Sequence, residues 1–385
     1  MRYCAACVLP DTRPGIEIGP DGVCSACRAH GQRAAVDWAS RQEQFERIVA
    51  DVKAKSREYD CVIPVSGGKD STWQLVTCLE AGLHPLAVTW RPPGRTELGE
   101  RNLRNLTELG VDHIDFSVNP RVERLFALRS LERYGTNAIP MHLAIFNIPL
   151  SVAVRFEIPL VVWGEDSAVE YVGTEAEGRS FRLDREWVSR YGAVHGTTAS
   201  DWVSEELTAQ DLTPYAGPTD EELAASGLEA VFLGYFFPWD PSRTAEVAAA
   251  HGFRARDDGP HTGYYDYADI DDEFISIHHW MKWVKFGFTR TFDNLSLEIR
   301  NGRLSRDQAI AILAERGDET PHRDIDAFCE WAGITREHFY EIVERFRNHE
   351  VWSQRDGIWV IDDFLIENWQ WDAAGGPMST QPGRG

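Results

Sequence analysis

Apolar residues along the central part of the chain alternate between two patterns. Five short apolar runs, bounded by Gly, Pro or charged residues, have the length and composition of buried strands. They cover residues 61–65, 86–90, 113–118, 159–163 and 230–236. Between the first three runs, apolar residues follow helical spacing over 73–79 and 98–109. Strands that alternate with helices are typical of a parallel sheet flanked by helices, so the expected fold class is α/β.

The same pattern predicts how the chain is divided. Outside the alternating region, the first residues are rich in Cys, Gly and Pro, and the pattern after about residue 270 is mainly helical. Thr335 is expected to cap one of these late helices. The predicted segments are a small knuckle (1–30), a linking helix (31–59), an α/β domain (60–255) containing a polar insertion or lid (173–218), a helical C-terminal region (256–372) and a disordered tail (373–385).

Composition and charge narrow the class of protein. The chain has 385 residues, of which 43% are apolar, enough to bury a core. It has no run of 18 apolar residues and no apolar segment at its start, so we expect a cytoplasmic protein without a membrane segment. The net charge of −22 argues against nucleic acid as a partner, because phosphate contacts need a basic surface.

Four of the seven cysteines form two close pairs near the start of the chain. Four thiolates at this spacing can close around one Zn²⁺ as a tetrahedral site with no open position, which predicts a structural zinc. An iron–sulfur cluster or redox-active pairs are the alternatives. The predicted ligands are Cys4, Cys7, Cys24 and Cys27. The other three cysteines lie in predicted core elements or a helix and are expected to be inert.

A short Gly-rich motif follows the first strand and opens a helix. Its glycines allow successive N–H groups to point into one concavity, and the helix N-terminus adds partial positive charge. The motif therefore predicts a phosphate cradle, although a turn that merely needs glycines would look similar. It lacks the spacing of a Walker loop, so γ-phosphoryl transfer is not implied. The predicted nucleotide-binding residues are Ser66, Gly67, Gly68, Lys69, Asp70 and Ser71.

An acidic segment follows the fourth predicted strand. Residues at the carboxyl end of a parallel strand lie where α/β proteins bind ligands. Glu165 and Asp166 are candidates to hold Mg²⁺ or orient the substrate, and Glu170 and Tyr171 are candidates to bind substrate hydroxyls. The alternative is a solvated acidic loop.

Residues 282–306 are basic in an otherwise acidic chain. Their basic residues alternate with Gly, Phe and Ser rather than Glu, which favours an anion site over a solvated helix face. We predict that Arg290, Arg300 and Arg303 bind the anionic part of the substrate. The predicted catalytic residues are Lys69, Asp70, Asp166 and Lys285.

The motif Ser66–Ser71 resembles the SGGxDS signature of the PP-loop ATP pyrophosphatases, a likeness that covers about residues 58–240. Together with the four-Cys knuckle, the acidic segment and the basic block, the chain resembles the N-acetyl sugar amidotransferases of surface-polysaccharide and nonulosonic-acid pathways. This resemblance implies a PP-loop fold that uses ATP and Mg²⁺. It also implies conversion of an acetamido group on a sugar or nucleotide sugar into an amidine, with release of AMP and pyrophosphate.

The nitrogen source follows from the same resemblance. The sequence has no nucleophilic cysteine in a Gly-flanked elbow, so ammonia is expected to be free or to come from a separate glutaminase partner. Three alternatives remain: a PP-loop sulfurtransferase making a thioamide or thionucleoside, an amide- or amidine-forming enzyme acting on another metabolite, and a non-catalytic protein with a relict loop.

Overall fold

A five-stranded parallel sheet forms the centre of the protein. The computed structural model describes residues 1–173 and 181–371. The sheet has the order β3-β2-β1-β4-β5, with every neighbouring pair parallel. Its strands are β1 (Cys61–Pro64), β2 (Pro85–Trp90), β3 (Asp112–Phe116), β4 (Leu160–Trp163) and β5 (Glu229–Phe232). The predicted α/β class with a parallel sheet is confirmed.

Helices connect the strands and cover both faces of the sheet. In chain order up to the fifth strand, they are α1 (Ser25–Gly31), α2 (Trp38–Lys55), α3 (Lys69–Glu80), α4 (Glu97–Glu108), α5 (Pro120–Tyr134), α6 (Ile139–Arg155), α7 (Arg185–Tyr191), α8 (Thr213–Ala216) and α9 (Asp220–Ser226). Adjacent residues of β1 face opposite ways: Val62 belongs to the core shared with α5 and α6, and Ile63 to the core shared with α2, α3 and α4. Burial on both faces explains why the strands read as continuous apolar runs.

The strand order places a topological switch point beside β1. The chain runs outward from β1 through β2 to β3 and then returns to the other side of β1 to form β4. Two connections therefore leave the carboxyl ends of β1 and β4 in opposite directions. Ligands of open α/β sheets bind in the crevice at such a point.

The C-terminal region is mainly helical, as predicted. Its helices are α12 (Ile275–Phe286), α13 (Arg290–Arg300), α14 (Arg306–Arg316), α15 (His322–Ala332) and α16 (Arg336–Glu344), and they follow two short helices at the end of the α/β domain, α10 (Leu233–Phe236) and α11 (Pro241–Ala250). Thr335 caps α16 by accepting a hydrogen bond from the N–H of His338 at 3.1 Å, which confirms the predicted cap. A small antiparallel pair, β6 (Ser353–Arg355) and β7 (Ile358–Val360), was not predicted.

The structure differs from the sequence pattern at two places. The apolar run 230–236 is strand only to Phe232 and then helical, because a continuous apolar run does not distinguish a buried strand from a buried helix. The described part of the expected insertion, 181–218, packs into the main core through Leu183, Trp202 and Tyr215. The predicted tail 373–385 lies outside the described residues. Among helices of 1–173 and 181–371, none is long and apolar enough to cross a membrane.

Candidate active site

The Gly-rich motif forms a tight loop between β1 and α3, at the switch point. Gly67 has φ +89°, and a Cβ on it would lie 2.9 Å from both the Gly99 carbonyl oxygen and the Leu103 nitrogen of α4. Gly68 has φ −74°, and its Cβ would meet only the Ser66 hydroxyl at 3.3 Å. The fold therefore requires glycine at 67. At position 68 it leaves open backbone space, as a bound phosphate would need.

Helix α3 begins at Lys69, and no side chain caps its N-terminus. The first N–H groups of a helix have no partner within the helix, and they carry the positive end of the helix dipole. Inside the loop, the Ser71 hydroxyl accepts the N–H of Ser66 at 2.9 Å. This arrangement can receive an anion, as the sequence predicts for the loop.

Lys69 and Asp70 form an ion pair beside the loop. The Lys69 ammonium lies 2.5 Å from Asp70 Oδ2, and Lys69 is 4% exposed. Asp70 Oδ1 accepts hydrogen bonds from the Trp239 indole at 2.9 Å and the Thr244 hydroxyl at 3.1 Å. Three donors therefore fix the Asp70 carboxylate, which holds the buried ammonium at the mouth of the loop.

Two cavities meet at the loop. The aromatic cavity, about 350 Å³, is lined mainly by Trp90, Phe146, Trp163, Trp187, Met141 and Ile145. The polar cavity, about 180 Å³, is lined by Lys69, Tyr171, Tyr265, Tyr267, Arg290 and Asn294. Both are also bordered by Ser66, Asp70, Ser71, Glu165, Asp269 and Asp271. The aromatic cavity has a volume typical of small-molecule sites, about 300–1,000 Å³, and its rings suit a planar base.

Three carboxyl groups other than Asp70 border both cavities. Burial, reinforced by the charge of Asp70, raises the pKa of Glu165 to about 7. Burial also raises the pKa of Asp271. Although burial opposes ionisation of Asp269, the charges of Arg290 and His279 hold its pKa well below its usual range. Asp269 is therefore an anion at neutral pH, whereas Glu165 can take up or release a proton there.

Asp269 and Asp271 were missed by the sequence analysis. They lie in the segment 264–274, about 200 residues after the loop, where no periodicity singles them out. The signal that could have found them is the run of acids in Asp269-Ile270-Asp271-Asp272-Glu273. Such a run in a segment that follows Gly and Pro residues is typical of a loop, and loops commonly carry binding residues.

The acidic segment after β4 separates into three environments. Glu165 borders both cavities and Tyr171 borders the polar cavity, where the Arg290 guanidinium lies 5.5 Å from its ring. Asp166 lies to the side, where it accepts the Ala168 N–H at 3.0 Å and the Trp187 indole N–H at 3.2 Å. Its position is that of a capping residue, and it does not line either cavity, so the catalytic role predicted for it remains a prediction.

Glu170 is also placed away from the cavities. Its carboxylate pairs with Arg33 at 2.9 Å, and both side chains are largely buried. Its backbone carbonyl accepts a hydrogen bond from Arg300 at 3.1 Å. Both interactions join this segment to other parts of the chain, so the structure favours a structural role over the predicted binding of substrate hydroxyls.

The basic block does not form one anion site. Arg290 alone of its predicted binding residues borders the polar cavity. Arg303 makes two bonds to Glu298, at 2.6 and 2.7 Å, and one to Asp240 at 2.8 Å. Arg300 contacts the Glu170 carbonyl. Both guanidinium groups bind protein acceptors, and Arg300 Nη1 is buried with no hydrogen-bond partner within residues 1–173 and 181–371. The substrate contacts predicted for Arg300 and Arg303 remain predictions.

Lys285 lies in a different part of the fold. Its ammonium donates to the Tyr134 carbonyl at 3.1 Å. Burial, together with the neighbouring Lys282, lowers its pKa to about 8. Tyr134 ends α5, away from the two cavities, so the predicted catalytic role of Lys285 is not supported by its position.

The four-Cys knuckle has the geometry of a metal site. The four sulfur atoms lie within 4.8 Å of one another, and the sulfurs of Cys7 and Cys24 are 3.7 Å apart. Tetrahedral zinc with Zn–S bonds of about 2.3 Å requires sulfur pairs about 3.8 Å apart. The residues therefore fit zinc, whose role there would be structural because all four positions are filled. The Cys4 sulfur also accepts backbone N–H bonds from Cys7 at 3.4 Å and Cys24 at 3.2 Å.

The knuckle is packed against the C-terminal region. Its apolar residues share a core with Phe288, Phe292 and Leu313. The Arg306 guanidinium donates to the carbonyls of Cys4 and Cys7 at 3.2 and 3.0 Å. Loss of the knuckle's shape would therefore disturb α13, the helix that carries Arg290.

Comparison with protein families identifies the C-terminal region. Residues 261–365 match a family described as LPS biosynthesis protein WbpG-like, C-terminal domain. These residues are similar to that WbpG-like C-terminal domain. The match agrees with the predicted resemblance to a family of surface-polysaccharide synthesis over this region. The WbpG-like domain contains Asp269, Asp271 and Arg290, so it supplies part of the wall of both cavities.

Comparisons with whole proteins add less. No curated protein matched the chain. NMN synthetase from Francisella tularensis matches with 12% identity and a TM-score of 0.34, over 77% of this chain and 94% of that one. A predicted subunit of tRNA methyltransferase from Methanocaldococcus jannaschii matches with 14% identity and a TM-score of 0.27, over 49% and 75%. Scores this low carry no functional argument.

Proposed function

We propose that this WbpG-like protein is an ATP-dependent amidotransferase. It adenylates the oxygen of an acetamido group on a sugar or nucleotide sugar, and ammonia then replaces that oxygen to give an amidine. The observation that carries the proposal is the position of the phosphate loop between an aromatic and a polar cavity. This arrangement offers places for a base, a pyrophosphate and an acceptor around one point.

The nucleotide is assigned to the aromatic cavity and the loop. The base and ribose occupy the space between Trp90 and Trp163, and the terminal phosphates lie against the α3 N-terminus, where Lys69 neutralises them. Mg²⁺, when bound, would neutralise the leaving pyrophosphate. Its candidate ligands are Asp70, Asp269 and Asp271, because Mg²⁺ prefers carboxylate oxygens.

The acceptor is assigned to the polar cavity, where Arg290 and Tyr171 can hold its anionic or hydroxyl groups. The amide oxygen attacks the α-phosphorus, the bond to the β-phosphate oxygen breaks, and pyrophosphate leaves. Glu165 accepts the amide proton, for which a pKa near 7 is suitable. Ammonia then adds to the imidate carbon and AMP leaves with the former amide oxygen. Activation is needed because an amide oxygen is otherwise a very poor leaving group.

The positions of the cysteines weigh against the sulfurtransferase alternative. All seven lie in the described residues: four form the knuckle, and Cys61, Cys78 and Cys329 are buried in helices or strands. None of them lines the aromatic or the polar cavity. A cysteine-dependent sulfur transfer at this site would therefore lack its nucleophile.

The proposal is tested by nucleotide analysis. Purified protein is incubated with ATP, Mg²⁺, ammonium and a panel of acetamido sugars and nucleotide sugars, and the nucleotide products are separated. We expect AMP and pyrophosphate whose formation depends on one member of the panel. Formation of ADP and phosphate would assign the loop to a different reaction. If no member of the panel gives a product whose formation depends on ammonium, the amidotransferase proposal is contradicted.

A further inference from the structure

A third, smaller chamber lies behind the aromatic cavity. Its volume is about 20 Å³, enough for one water-sized molecule, since such a molecule needs at least about 10–15 Å³. Trp90, Met141, Asp272 and Ile275 line both this small chamber and the aromatic cavity. A molecule in the small chamber is therefore separated from the aromatic cavity by single side chains.

Three buried polar side chains line the small chamber. Glu123, Asn137 and Asp272 are 5%, 8% and 8% exposed. Glu123 accepts the Trp90 indole N–H at 2.8 Å with one oxygen, and Asp272 accepts the Phe274 N–H at 3.1 Å with one oxygen. Each carboxyl group retains a second oxygen.

The side-chain oxygen of Asn137 is a buried acceptor without a partner among the described residues. Asn137 Nδ2 donates to the Phe274 carbonyl at 3.0 Å, which fixes the orientation of the amide. Its Oδ1 is buried and has no hydrogen-bond partner within residues 1–173 and 181–371. A buried acceptor left unpaired costs about 1–3 kcal/mol, so a small donor beside it would stabilise the fold.

The polar surface of the chamber is thus formed by the Asn137 oxygen and by two carboxyl groups, which accept hydrogen bonds when they are ionised. Water brings two O–H donors, whereas ammonium brings four N–H donors and a positive charge. We propose that the small chamber binds ammonium and supplies ammonia, by way of the aromatic cavity, to the shared border of the two cavities, where the acceptor amide is activated. When ammonium transfers one proton to the Glu123 carboxylate, neutral ammonia remains as the nucleophile. The role as supplier rests on the proposed function, but the binding site itself does not.

Glu123 is the carboxyl group of the chamber whose ionisation would respond to a bound cation. Burial, reinforced by the charge of Asp272, raises the pKa of Glu123 to about 8. A cation beside Glu123 would favour its ionised form, and departure of the ligand as neutral ammonia would leave the Glu123 carboxyl protonated.

Binding is tested without any assay of activity. The melting temperature of the full chain is measured with ammonium, potassium or sodium chloride at one ionic strength. A ligand that binds only the folded state raises the melting temperature. We expect a rise with ammonium that Asn137→Leu and Glu123→Gln both abolish. Asn147→Leu is the matched control. It also removes a hydrogen bond from a side-chain amide to a backbone carbonyl, that of Tyr215, but Asn147 lies outside the chamber.

Kinetics test the supply of ammonia. In Asn137→Leu and Glu123→Gln, the KM for ammonium should rise about 10-fold or more, as expected for a lost hydrogen bond to a charged group. The KM for ATP should change less than about twofold in both, and Asn147→Leu should leave both constants unchanged. Glu123→Gln keeps the side chain's size, so it remains informative if Asn137→Leu folds poorly.

The outcomes separate the site from the function. A rise in melting temperature that is specific to ammonium and that both variants abolish supports the ammonium site even if no amidine is ever formed. Equal rises with potassium and ammonium would make the chamber a general cation site and overturn the assignment. Amidine formation with an unchanged ammonium KM in both variants would overturn the chamber while leaving the proposed function intact.

Discussion

Two adjacent glycines of the phosphate loop should respond in opposite ways to alanine. Gly67→Ala places a Cβ 2.9 Å from backbone atoms of Gly99 and Leu103, at a φ of +89°. Gly68→Ala places a Cβ near one rotatable hydroxyl, at a φ of −74° and a ψ of 172°, which any residue can adopt. The first change disturbs the fold, and the second changes only the space in which a phosphate would bind.

The magnitudes follow from these geometries. A side chain in the left-handed region costs about 1–2 kcal/mol, and overpacking against fixed atoms costs about 1–3 kcal/mol. Gly67→Ala should therefore lose about 2–5 kcal/mol of stability. Gly68→Ala should gain about 0.4–1 kcal/mol, because alanine reduces the entropy of the unfolded chain. Its AMP formation should nevertheless fall about 100-fold, as when one stabilising donor is lost.

The assay compares both variants with the unmodified protein by urea unfolding and by AMP release. We expect a lower urea midpoint for Gly67→Ala and an equal or higher midpoint for Gly68→Ala, whose AMP release is nearly abolished. The reasoning is refuted if Gly68→Ala turns over ATP normally, since its Cβ would then lie outside the phosphate path. It is also refuted if Gly67→Ala has the same urea midpoint as the unmodified protein.

Three further predictions concern the metal, the arginines and the pH. Cys24→Ser should remove one bound zinc per chain by metal analysis and lower the melting temperature, whereas Cys329→Ser should keep the zinc; unchanged metal content would contradict the zinc site. Arg290→Ala should reduce kcat/KM for the acceptor about 10-fold or more and, because it breaks the buried ion pair with Asp269, should lower the melting temperature as well, whereas Arg303→Ala should lower stability with little change in the acceptor kinetics. Equal acceptor kinetics in the two variants would contradict their different placement. With Glu165 as the base, kcat/KM should rise with pH through about 7, and the pH profile of Glu165→Gln should be flat over this range. The raised pKa also means that Glu165 contributes to stability at low pH, and this contribution is lost as pH rises through about 7. A pH profile unchanged in Glu165→Gln would assign the proton to another group.

The fold was predictable because its signals are local. Each buried strand leaves a continuous apolar run, and each helix between strands leaves a period. The loop Ser66–Ser71 was found because all of its residues are adjacent in sequence, at a strand-to-helix junction. The knuckle was found because two Cys-x₂-Cys pairs have a spacing that few other structures need.

The rest of the site depends on contacts between distant residues. The sequence suggested that Arg303 is available to a substrate, because its basic segment contains only two acidic residues. One of these two, Glu298, nevertheless binds Arg303, as does Asp240, the N-cap residue of α11. Asp269 and Asp271 reach the loop only because the WbpG-like region folds back over the sheet. Burial, which raises the pKa of Glu165, likewise has no signal in the local sequence.

The central claim is that this site transfers nitrogen to an adenylated amide. The most direct measurement is mass spectrometry of an acetamido nucleotide sugar incubated with the protein, ATP, Mg²⁺ and ¹⁵N-labelled ammonium. The account predicts a product in which labelled NH replaces the acetamido oxygen, formed in equal amount with AMP. An unlabelled product, a product that forms only with sulfide, or ATP consumption to ADP would contradict it.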